Sequence, residues 1–339
     1  MNSTPVVVWF VVFMRCLSDA SGNPYDSLDS ALSELDYAAT TAIYFAGLDL
    51  TGTLPPALGS LSNLYTLSLR DNDLTGTLPP ALGSLSNLGL LSLGDNDMTG
   101  TLPLALGSLS NLGSLSFYDN DLTGTLPPAL GSLRNLTYVS FYGNDLTGTL
   151  PAALGSLSNL FTLSLSGSCG YSTAIYCPPS SDDPMYFSRT NDLTGTLPRA
   201  MGSLSNLYHL DLSGNHLTGT LPPALGSLSN LHELSLSGND LTGILPPALG
   251  SLNLAYLSSY STSISGYVAS GVCDIFYCQL EPSESFYCDD SCPDDPCGIK
   301  CIDPCYYIAL VEGGWVTIGS SSGGQAATYE VGVTTSETS

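Results

Sequence analysis

Residues 64–87 read LYTLSLRDNDLTGTLPPALGSLSN, and this 24-residue unit is the dominant pattern of the chain. Close copies begin at residues 88, 112, 136, 160, 207 and 231. Residues 43–54 keep the same spacing before the first full copy, and residues 254–268 keep it with altered content after the last. Such self-similarity indicates an array of stacked units rather than one globular core.

Each unit contains two extended segments with inward apolar residues. In the first segment, Leu67 and Leu69 alternate with polar residues, which predicts a short strand with its leucines turned inward. In the second segment, Leu74, Gly76 and Leu78 are the inward positions. One unit cannot bury its leucines alone, so stacking must create one continuous core.

An asparagine ends the first segment of nearly every unit. A buried side-chain amide can bond neighbouring backbone groups through both its NH₂ group and its oxygen. We therefore expect a ladder that contains Asn72, Asn96, Asn120, Asn144, Asn191, Asn215 and Asn239.

The consensus LxxLxLxxNxLxGxLPxxLGxLxxL resembles the plant-type leucine-rich repeats of receptor-like kinases, receptor-like proteins and polygalacturonase-inhibiting proteins. The resemblance covers residues 40–253 strongly and extends more weakly to about residue 277. It implies an α/β solenoid, a leucine-rich-repeat horseshoe with a parallel concave β-sheet and about nine 24-residue repeats. In that family the concave sheet and its edges bind peptides, glycans or other proteins.

The flanking regions give five predicted parts. The apolar run at residues 6–14 and the small residues Ser18 and Ala20 predict a signal peptide at 1–20, or else a stretch packed on the solenoid end. Helical spacing of apolar residues predicts an N-terminal helical cap within 21–39. The solenoid follows at 40–277 with an insertion at 168–190, then a Cys-rich C-terminal cap at 278–312 and a disordered Ser/Thr/Gly tail at 313–339.

Several alternatives stay open for these parts. The Cys-rich segment is either a cap or an independent binding module. The insertion is a functional loop, a tolerated surface insertion or an error in the gene model. With a signal peptide and no long apolar segment after it, the sequence predicts a secreted, extracellular or cell-wall protein without a transmembrane segment.

Nine cysteines remain after the predicted signal peptide. In a secreted chain they indicate disulfide bonds, although the Cys-x3-Cys spacings would also suit zinc. An odd number implies one free or intermolecular thiol. The candidates are Cys169, Cys177, Cys273, Cys278, Cys288, Cys292, Cys297, Cys301 and Cys305.

The chain carries 30 acidic and 6 basic residues, for a formal net charge of −24. This balance argues against nucleic acid as a partner, because phosphate binding needs clustered Lys and Arg. Aspartates recur at one position of the repeat, where closely spaced carboxylates either bind Ca²⁺ or are solvated at high ionic strength. The main file is Asp49, Asp73, Asp97, Asp121, Asp145, Asp192 and Asp240, with His216 in place of one member, and a shorter file is Asp71, Asp95 and Asp119.

The outward positions of the first segment vary while the rest of the unit hardly changes. Aromatic residues framed by small ones suit a peptide or glycan, although Tyr also favours exposed strands for local reasons. Tyr118 and Tyr142 occupy equivalent sites in adjacent repeats, so their rings could lie side by side. The candidate ligand-binding residues are Tyr65, Arg70, Tyr118, Tyr138, Tyr142, Phe161, Tyr208, His209, Asp211, His232 and Glu233.

Two further patterns carry weaker hypotheses. His209, Asp211 and Glu233 form a polar patch that could hold a metal or perform acid–base chemistry, but no catalytic motif accompanies it, and we expect neither an enzyme nor a cofactor. Thr pairs such as Thr75 and Thr77 form two files similar to the Thr-x-Thr faces of some ice-binding solenoids. Asn135 begins the one N-glycosylation sequon after the signal peptide.

The sequence therefore predicts a secreted leucine-rich-repeat protein that binds a protein, peptide or glycan through its concave face. The alternatives are a structural or adhesive protein of a matrix or cell wall, an inhibitor of a secreted hydrolase, and, most remotely, an ice-binding protein.

Overall fold

The structure, a computed structural model, describes residues 27–33, 35–167, 190–268, 277–279 and 286–288. The predicted signal peptide, almost all of the insertion, most of the Cys-rich segment and the predicted tail lie outside these residues. So do all the disulfide candidates except Cys278 and Cys288, of which only the strand backbone is described.

The repeats stack into two parallel ten-stranded sheets, with one strand of each sheet in every turn of the solenoid. The concave sheet contains β1 (Ala42–Tyr44), β3 (Thr66–Ser68), β5 (Leu90–Ser92), β7 (Ser114–Ser116), β9 (Tyr138–Ser140), β11 (Thr162–Ser164), β13 (His209–Asp211), β15 (Glu233–Ser235), β17 (Tyr256–Ser258) and β19 (Tyr277–Gln279). The second sheet contains β2 (Thr51–Thr53), β4 (Asp73–Thr77), β6 (Asp97–Thr101), β8 (Asp121–Thr125), β10 (Asp145–Thr149), β12 (Asp192–Gly195), β14 (His216–Thr220), β16 (Asp240–Ile244), β18 (Ser263–Val268) and β20 (Phe286–Cys288).

This architecture confirms the predicted leucine-rich-repeat solenoid, and it adds one feature. The sequence predicted the second extended segment of each unit, but not that these segments pair into a continuous sheet of their own. The strands also continue past residue 277, because β19 pairs with β17 and β20 pairs with β18. The predicted boundary between solenoid and Cys-rich cap therefore falls among paired strands.

Short 3-10 helices return the chain from the second sheet to the concave sheet. The residue before each helix is a proline in an extended conformation, and its ring fixes the backbone direction at the start. Adjacent return segments lie so close that a methyl group at Gly83 would collide with the backbone of Ala105. The helices are Pro56–Ser60, Pro80–Ser84, Leu104–Ser108, Pro128–Ser132, Ala152–Ser156, Arg199–Ser203, Pro223–Ser227 and Pro247–Ser251.

One hydrophobic core runs along the part of the array whose side chains are described, from Leu28 to Ile264. Leu67, Leu69, Leu74 and Leu82 are fully buried in it, and the equivalent residues of the other repeats are buried in the same way. At the N-terminal end, helix α1 (Leu28–Ser33) adds Leu28, Ala31 and Leu32 to this core. The helix covers apolar surface that an open solenoid end would expose to water.

The predicted asparagine ladder is present, and it also joins the two sheets. Asn120 is fully buried. Its amide group donates to the carbonyl oxygens of Leu93 and Phe117, at 3.1 and 3.3 Å, and to that of Tyr118 at 3.0 Å. Its Oδ1 accepts from the backbone N–H of Met98, one residue into the second sheet, at 2.9 Å. One side chain therefore adds hydrogen bonds to three backbone carbonyl groups and supplies an acceptor for the buried N–H of Met98.

The insertion does not interrupt this ladder. Asn191 lies on its C-terminal side and is fully buried. Its amide donates to the carbonyl oxygens of Phe141, Leu165 and Ser166, at 2.9, 3.2 and 3.1 Å. The repeats before and after the insertion consequently share one core and one register.

Candidate ligand-binding groove on the concave sheet

A groove of about 820 Å³ crosses one edge of the concave sheet, where the strands β9 to β17 begin. We call it the ligand groove. Its lining residues are Thr137, Tyr138, Asn159, Phe161, Thr162, Asn206, Tyr208, Ser229, Asn230, His232 and Asn253. Four of these residues, Tyr138, Phe161, Tyr208 and His232, are among the predicted ligand-binding residues.

A stack of three rings forms the apolar part of the groove. Phe161, Tyr208 and His232 occupy the same position of three successive repeats, immediately before β11, β13 and β15. The ring centroids of Phe161 and Tyr208 are 4.8 Å apart with an interplanar angle of 7°, and those of Tyr208 and His232 are 4.9 Å apart at 30°. The stack remains open to solvent, since 48% of Phe161 is exposed. Mutual stacking orders these rings before any ligand arrives.

A row of asparagine side chains forms the polar part of the groove. Asn159, Asn206 and Asn230 each donate a side-chain N–H to a backbone carbonyl of the preceding repeat, at 2.9, 2.8 and 2.7 Å. This second asparagine ladder is not among the features predicted from the sequence. Its signal is the Asn that recurs in the LSNL or LRNL end of the units.

His232 has a defined tautomer in its neutral form. Its Nδ1 lies 2.8 Å from the backbone carbonyl oxygen of Asn253. A carbonyl oxygen can only accept, so Nδ1 carries the hydrogen and Nε2 keeps a lone pair. The histidine at the end of the stack is therefore a hydrogen-bond acceptor when it is neutral.

His209 and Glu233 form a pair across β13 and β15. His209 donates from Nδ1 to Oε2 of Glu233 at 2.7 Å. This hydrogen bond lowers the pKa of Glu233 below its usual value, against the opposing effect of burial. His209 itself is only 3% exposed, so the pair bridges two strands instead of presenting an imidazole to a ligand.

Asp211 and Tyr142, two other predicted ligand-binding residues, are also buried. Asp211 is 1% exposed, and its Oδ1 accepts hydrogen bonds from the backbone N–H and the hydroxyl of Ser213. Tyr142 is 7% exposed. Both residues occupy outward positions of the repeat as predicted, but both are buried, so neither side chain is accessible to a ligand.

Tyr118 and Tyr142 stack on each other at the opposite edge of the concave sheet. Their ring centroids are 5.1 Å apart with an interplanar angle of 13°, which confirms that their rings lie side by side. A methyl group at Gly94 would collide with the Tyr118 ring. Arg70 donates to the Tyr118 phenol, and burial raises the pKa of that phenol despite the guanidinium. This edge is thus a packed cluster, separate from the ligand groove.

Tyr65 belongs to neither of the two ring stacks described above. It is 62% exposed, and its ring lies over Gly89 of the next repeat. The following residue in the same file is Gly113, where a methyl group would meet only backbone oxygens at 3.5 and 3.9 Å. Bare backbone therefore separates Tyr65 from the ligand groove.

The second sheet presents a uniform face. The side chains of each Asp-x-Thr-x-Thr strand alternate, so that the aspartate and both threonines lie on the outer side. His216 sits between two aspartates of this file, with Nε2 3.5 Å from Asp192 and Nδ1 3.6 Å from Asp240. The backbone conformation explains the shorter file of Asp71, Asp95 and Asp119. All three residues have positive φ, which Asp tolerates better than most residues, and most other repeats have glycine at this position.

Within the described ranges, no group of three or more His, Cys, Asp or Glu side chains is arranged to hold a metal ion. This applies both to the aspartate files and to the patch of His209, Asp211 and Glu233. Asn135 is exposed and donates its side-chain N–H to the carbonyl of Ser110 at 2.8 Å, as a member of the second asparagine ladder. Among the described residues, no helix has the length and apolarity needed to cross a membrane.

The family profile of the leucine-rich repeat region matches residues 45–251, which is more than half of the chain. The chain therefore belongs to the leucine-rich-repeat family, and its likeness to plant receptor ectodomains confirms the plant-type resemblance. A search of curated proteins finds no significant match.

Solved structures with the same fold include plant receptors and an ice-binding protein. A TDR receptor is 31% identical, with a TM-score of 0.63, over 73% of this chain and 39% of that chain. The Arabidopsis receptor kinase HAESA, in complex with the peptide hormone IDA and the co-receptor SERK1, is 27% identical with a TM-score of 0.62, over 72% of this chain and 38% of that chain. A plant ice-binding protein is 27% identical with a TM-score of 0.53, over 70% of this chain and 69% of that chain. This chain thus spans about two fifths of the length of the receptors.

Proposed function

We propose that this protein is a secreted binding protein that holds an extended peptide in its ligand groove. The observation that carries the proposal is the stack of Phe161, Tyr208 and His232, in which Phe161 is exposed and the other two rings are half-buried. The buried leucines already hold the repeats together, so the core does not require an aromatic row in solvent. Rings that are ordered before binding lose little conformational entropy when a ligand contacts them.

The geometry favours a peptide over a glycan. Sugar rings pack against the open faces of aromatic rings, whereas the rings in this stack cover most of each other's faces and turn their edges to the groove. Asn159, Asn206 and Asn230 add one amide per repeat beside the stack. An amide row and an apolar row side by side match the alternating polar backbone and apolar side chains of an extended peptide. The HAESA structure, which contains a bound peptide hormone, also supports a peptide ligand.

The test is a selection of random peptides against the intact protein. The variant Phe161→Ala/Tyr208→Ala should weaken binding of the selected peptides by about tenfold or more, since each ring supplies buried apolar area. Tyr65→Ala is the matched control, because it removes an exposed aromatic ring outside the groove and should leave binding unchanged. If the selected peptides bind the double variant and the native protein with equal affinity, the proposal is overturned. Groove-dependent binding on a glycan array, without peptide binding, would assign the groove to a glycan instead.

A second candidate function is ice binding by the second sheet, and it rests on the order of the threonine files. The first threonine of a pair donates its hydroxyl to the glycine carbonyl of the preceding repeat, as Thr99 does to Gly76 at 3.2 Å. The methyl group of the second threonine packs over the glycine of the next repeat, as Thr101 does over Gly124. Both contacts restrict side chains that are already stiff at χ1. The result is a regular array with strands about 4.8 Å apart, suited to ordering water.

Thermal hysteresis and ice-crystal shaping test this second candidate. Thr123→Tyr places a bulky ring in the middle of the array and should abolish both effects if the face binds ice. Ser132→Tyr, on an exposed return segment, is the matched control and should preserve them. Absence of hysteresis in the native protein, or equal hysteresis in Thr123→Tyr, would exclude this function for the threonine face.

A further inference from the structure

The side chains of the ligand groove offer more hydrogen-bond acceptors than donors, because Thr137 and neutral His232 each add an acceptor whose hydrogen is already committed. Asn159, Asn206 and Asn230 each commit one side-chain N–H to a backbone carbonyl, which leaves Oδ1 as an acceptor and the second N–H as a donor in every repeat. Thr137 donates its hydroxyl to the carbonyl of Gly113 at 3.0 Å, so its oxygen too is left to accept. Neutral His232 adds the Nε2 lone pair at the end of the stack. A ligand rich in donors would satisfy this set best.

The groove has no positive charge of its own, since no Lys or Arg is among its lining residues. The backbone carbonyl of Arg134 accepts a hydrogen bond from the Asn159 side chain. The Arg134 guanidinium donates to the carbonyl of Ser156 on the next return segment. Glu233 lies in the strand that follows His232 and keeps its negative charge at neutral pH. The whole chain carries a net charge of −24, which adds a long-range field that favours cations.

Long basic side chains also fit the apolar part of the groove. Lys and Arg have aliphatic stems that pack on apolar surface while their charged ends stay hydrated. The exposed part of Phe161 and the edges of Tyr208 offer such surface, next to the row of amide oxygens. A guanidinium also packs favourably on the free face at the end of an aromatic stack.

We propose that the ligand of the groove is a basic peptide, in which Lys or Arg side chains lie along the ring stack and donate to the asparagine oxygens. This inference rests on the proposed peptide-binding function. The groove crosses five strands, from β9 to β17, which corresponds to about 19 Å and to about six residues of extended peptide.

The experiment uses three pools of synthetic peptides on a surface, identical in their randomised positions. Two fixed positions carry Arg in the first pool, Gln in the second and Glu in the third. We expect the intact protein to bind the Arg pool about tenfold more tightly than the Gln pool near physiological salt. Phe161→Ala/Tyr208→Ala should remove this binding.

Two further variants separate groove recognition from general attraction to an acidic protein. Asp73→Asn/Asp97→Asn/Asp121→Asn removes three charges from the second sheet and should leave binding of the Arg pool nearly unchanged, since salt screens charges beyond about 8 Å. Ser229→Lys adds a positive charge at an exposed residue of the groove, and it should lower the affinity for the Arg pool by about tenfold. It also tests the proposal if the double alanine variant fails to fold.

The outcomes distinguish the two proposals. Groove-dependent binding of the Gln or Glu pool, equal to or tighter than that of the Arg pool, would overturn the basic ligand and keep the peptide-binding function. Binding of the Arg pool that survives both groove variants, or that is lost with the second-sheet variant, would also overturn it. If no pool binds, the peptide-binding function and the inference fall together.

Discussion

The concave sheet and the second sheet consist of the same repeats and share one core, yet their outer faces differ completely. On the second sheet the exposed residues are nearly the same in every strand, as in Asp73, Thr75 and Thr77 and their equivalents. On the concave sheet the equivalent positions range from Gly113 to Tyr208. The same inward leucines support both faces, so the core does not explain the difference.

The comparison shows where the fold constrains the sequence. In the second sheet, the seven strands from β4 to β16 each contain a glycine with positive φ, covered by the threonine methyl of the preceding repeat. Contacts between repeats therefore restrict the outer residues of this sheet as well as the inner ones. The described strands of the concave sheet contain no such glycine, and their outer positions differ from repeat to repeat, so these positions are free to specialise into the ligand groove.

The largest effect is expected from breaking the connection between the two sheets. Asn120→Ala removes the side-chain acceptor of the buried Met98 N–H and one hydrogen bond to each of three carbonyl groups. These carbonyl groups keep their other donors, which are the side chains of Asn96 and Asn144 and the backbone N–H of Asp95. We expect a loss of about 3 kcal/mol in the free energy of unfolding, measured by urea denaturation. Asn111→Ala is the control, since it removes one exposed hydrogen bond to Ser86 and should cost about 1 kcal/mol or less. Equal losses in both variants would mean that the buried ladder does not couple the sheets.

A pair of glycine substitutions sharpens the contrast between the sheets. Gly124 in the second sheet has φ +79, and a methyl group there would lie 2.8 Å from Cγ2 of Thr101. Gly124→Ala should therefore cost about 1–2 kcal/mol. Gly113→Ala in the concave sheet adds a methyl group in ordinary contact and should change stability by less than about 0.5 kcal/mol. Thermal unfolding of the two variants measures the difference, and a more harmful Gly113→Ala would reverse our view of which sheet is constrained.

Acid should weaken the contact between His209 and Glu233 on the concave sheet. His209 lowers the pKa of Glu233, so this pair stabilises the fold above the ordinary glutamate pKa of about 4.3, and its contribution is lost as the pH falls through the lowered value. Glu233→Gln lacks the contribution at neutral pH, and we expect a cost there below about 1 kcal/mol. Denaturation curves from pH 6 to pH 3 should therefore converge for the native protein and the variant. Parallel curves would contradict this coupling.

The smallest effect is expected from an outer residue of the second sheet. Thr123 is exposed, and its hydroxyl makes one long hydrogen bond, 3.3 Å, to the carbonyl of Gly100. Thr123→Val keeps the branched shape and removes only the hydroxyl, so stability should change by less than about 0.5 kcal/mol. A loss near that of Gly124→Ala, measured by thermal unfolding, would show that the hydroxyl files stabilise the sheet as much as its glycines do.

The sequence by itself determined the repeat, the core and the asparagine ladder. These features depend on contacts between identical positions of adjacent repeats, so the spacing of Leu67, Asn72 and Leu74 predicts them from one unit. The stacking of Tyr118 on Tyr142 follows from the same rule.

Only the tertiary structure decided which outer residues form a site. Phe161 and Tyr208 stack because the register continues across the insertion, which brings together residues from either side of it. His209, Asp211 and Tyr142 occupy outward positions of the repeat, yet all three are buried. The asparagines of the groove are invariant in sequence and become distinctive only beside the aromatic stack. Periodicity sets the direction of a side chain, but its exposure depends on its neighbours in space, and these differ from repeat to repeat.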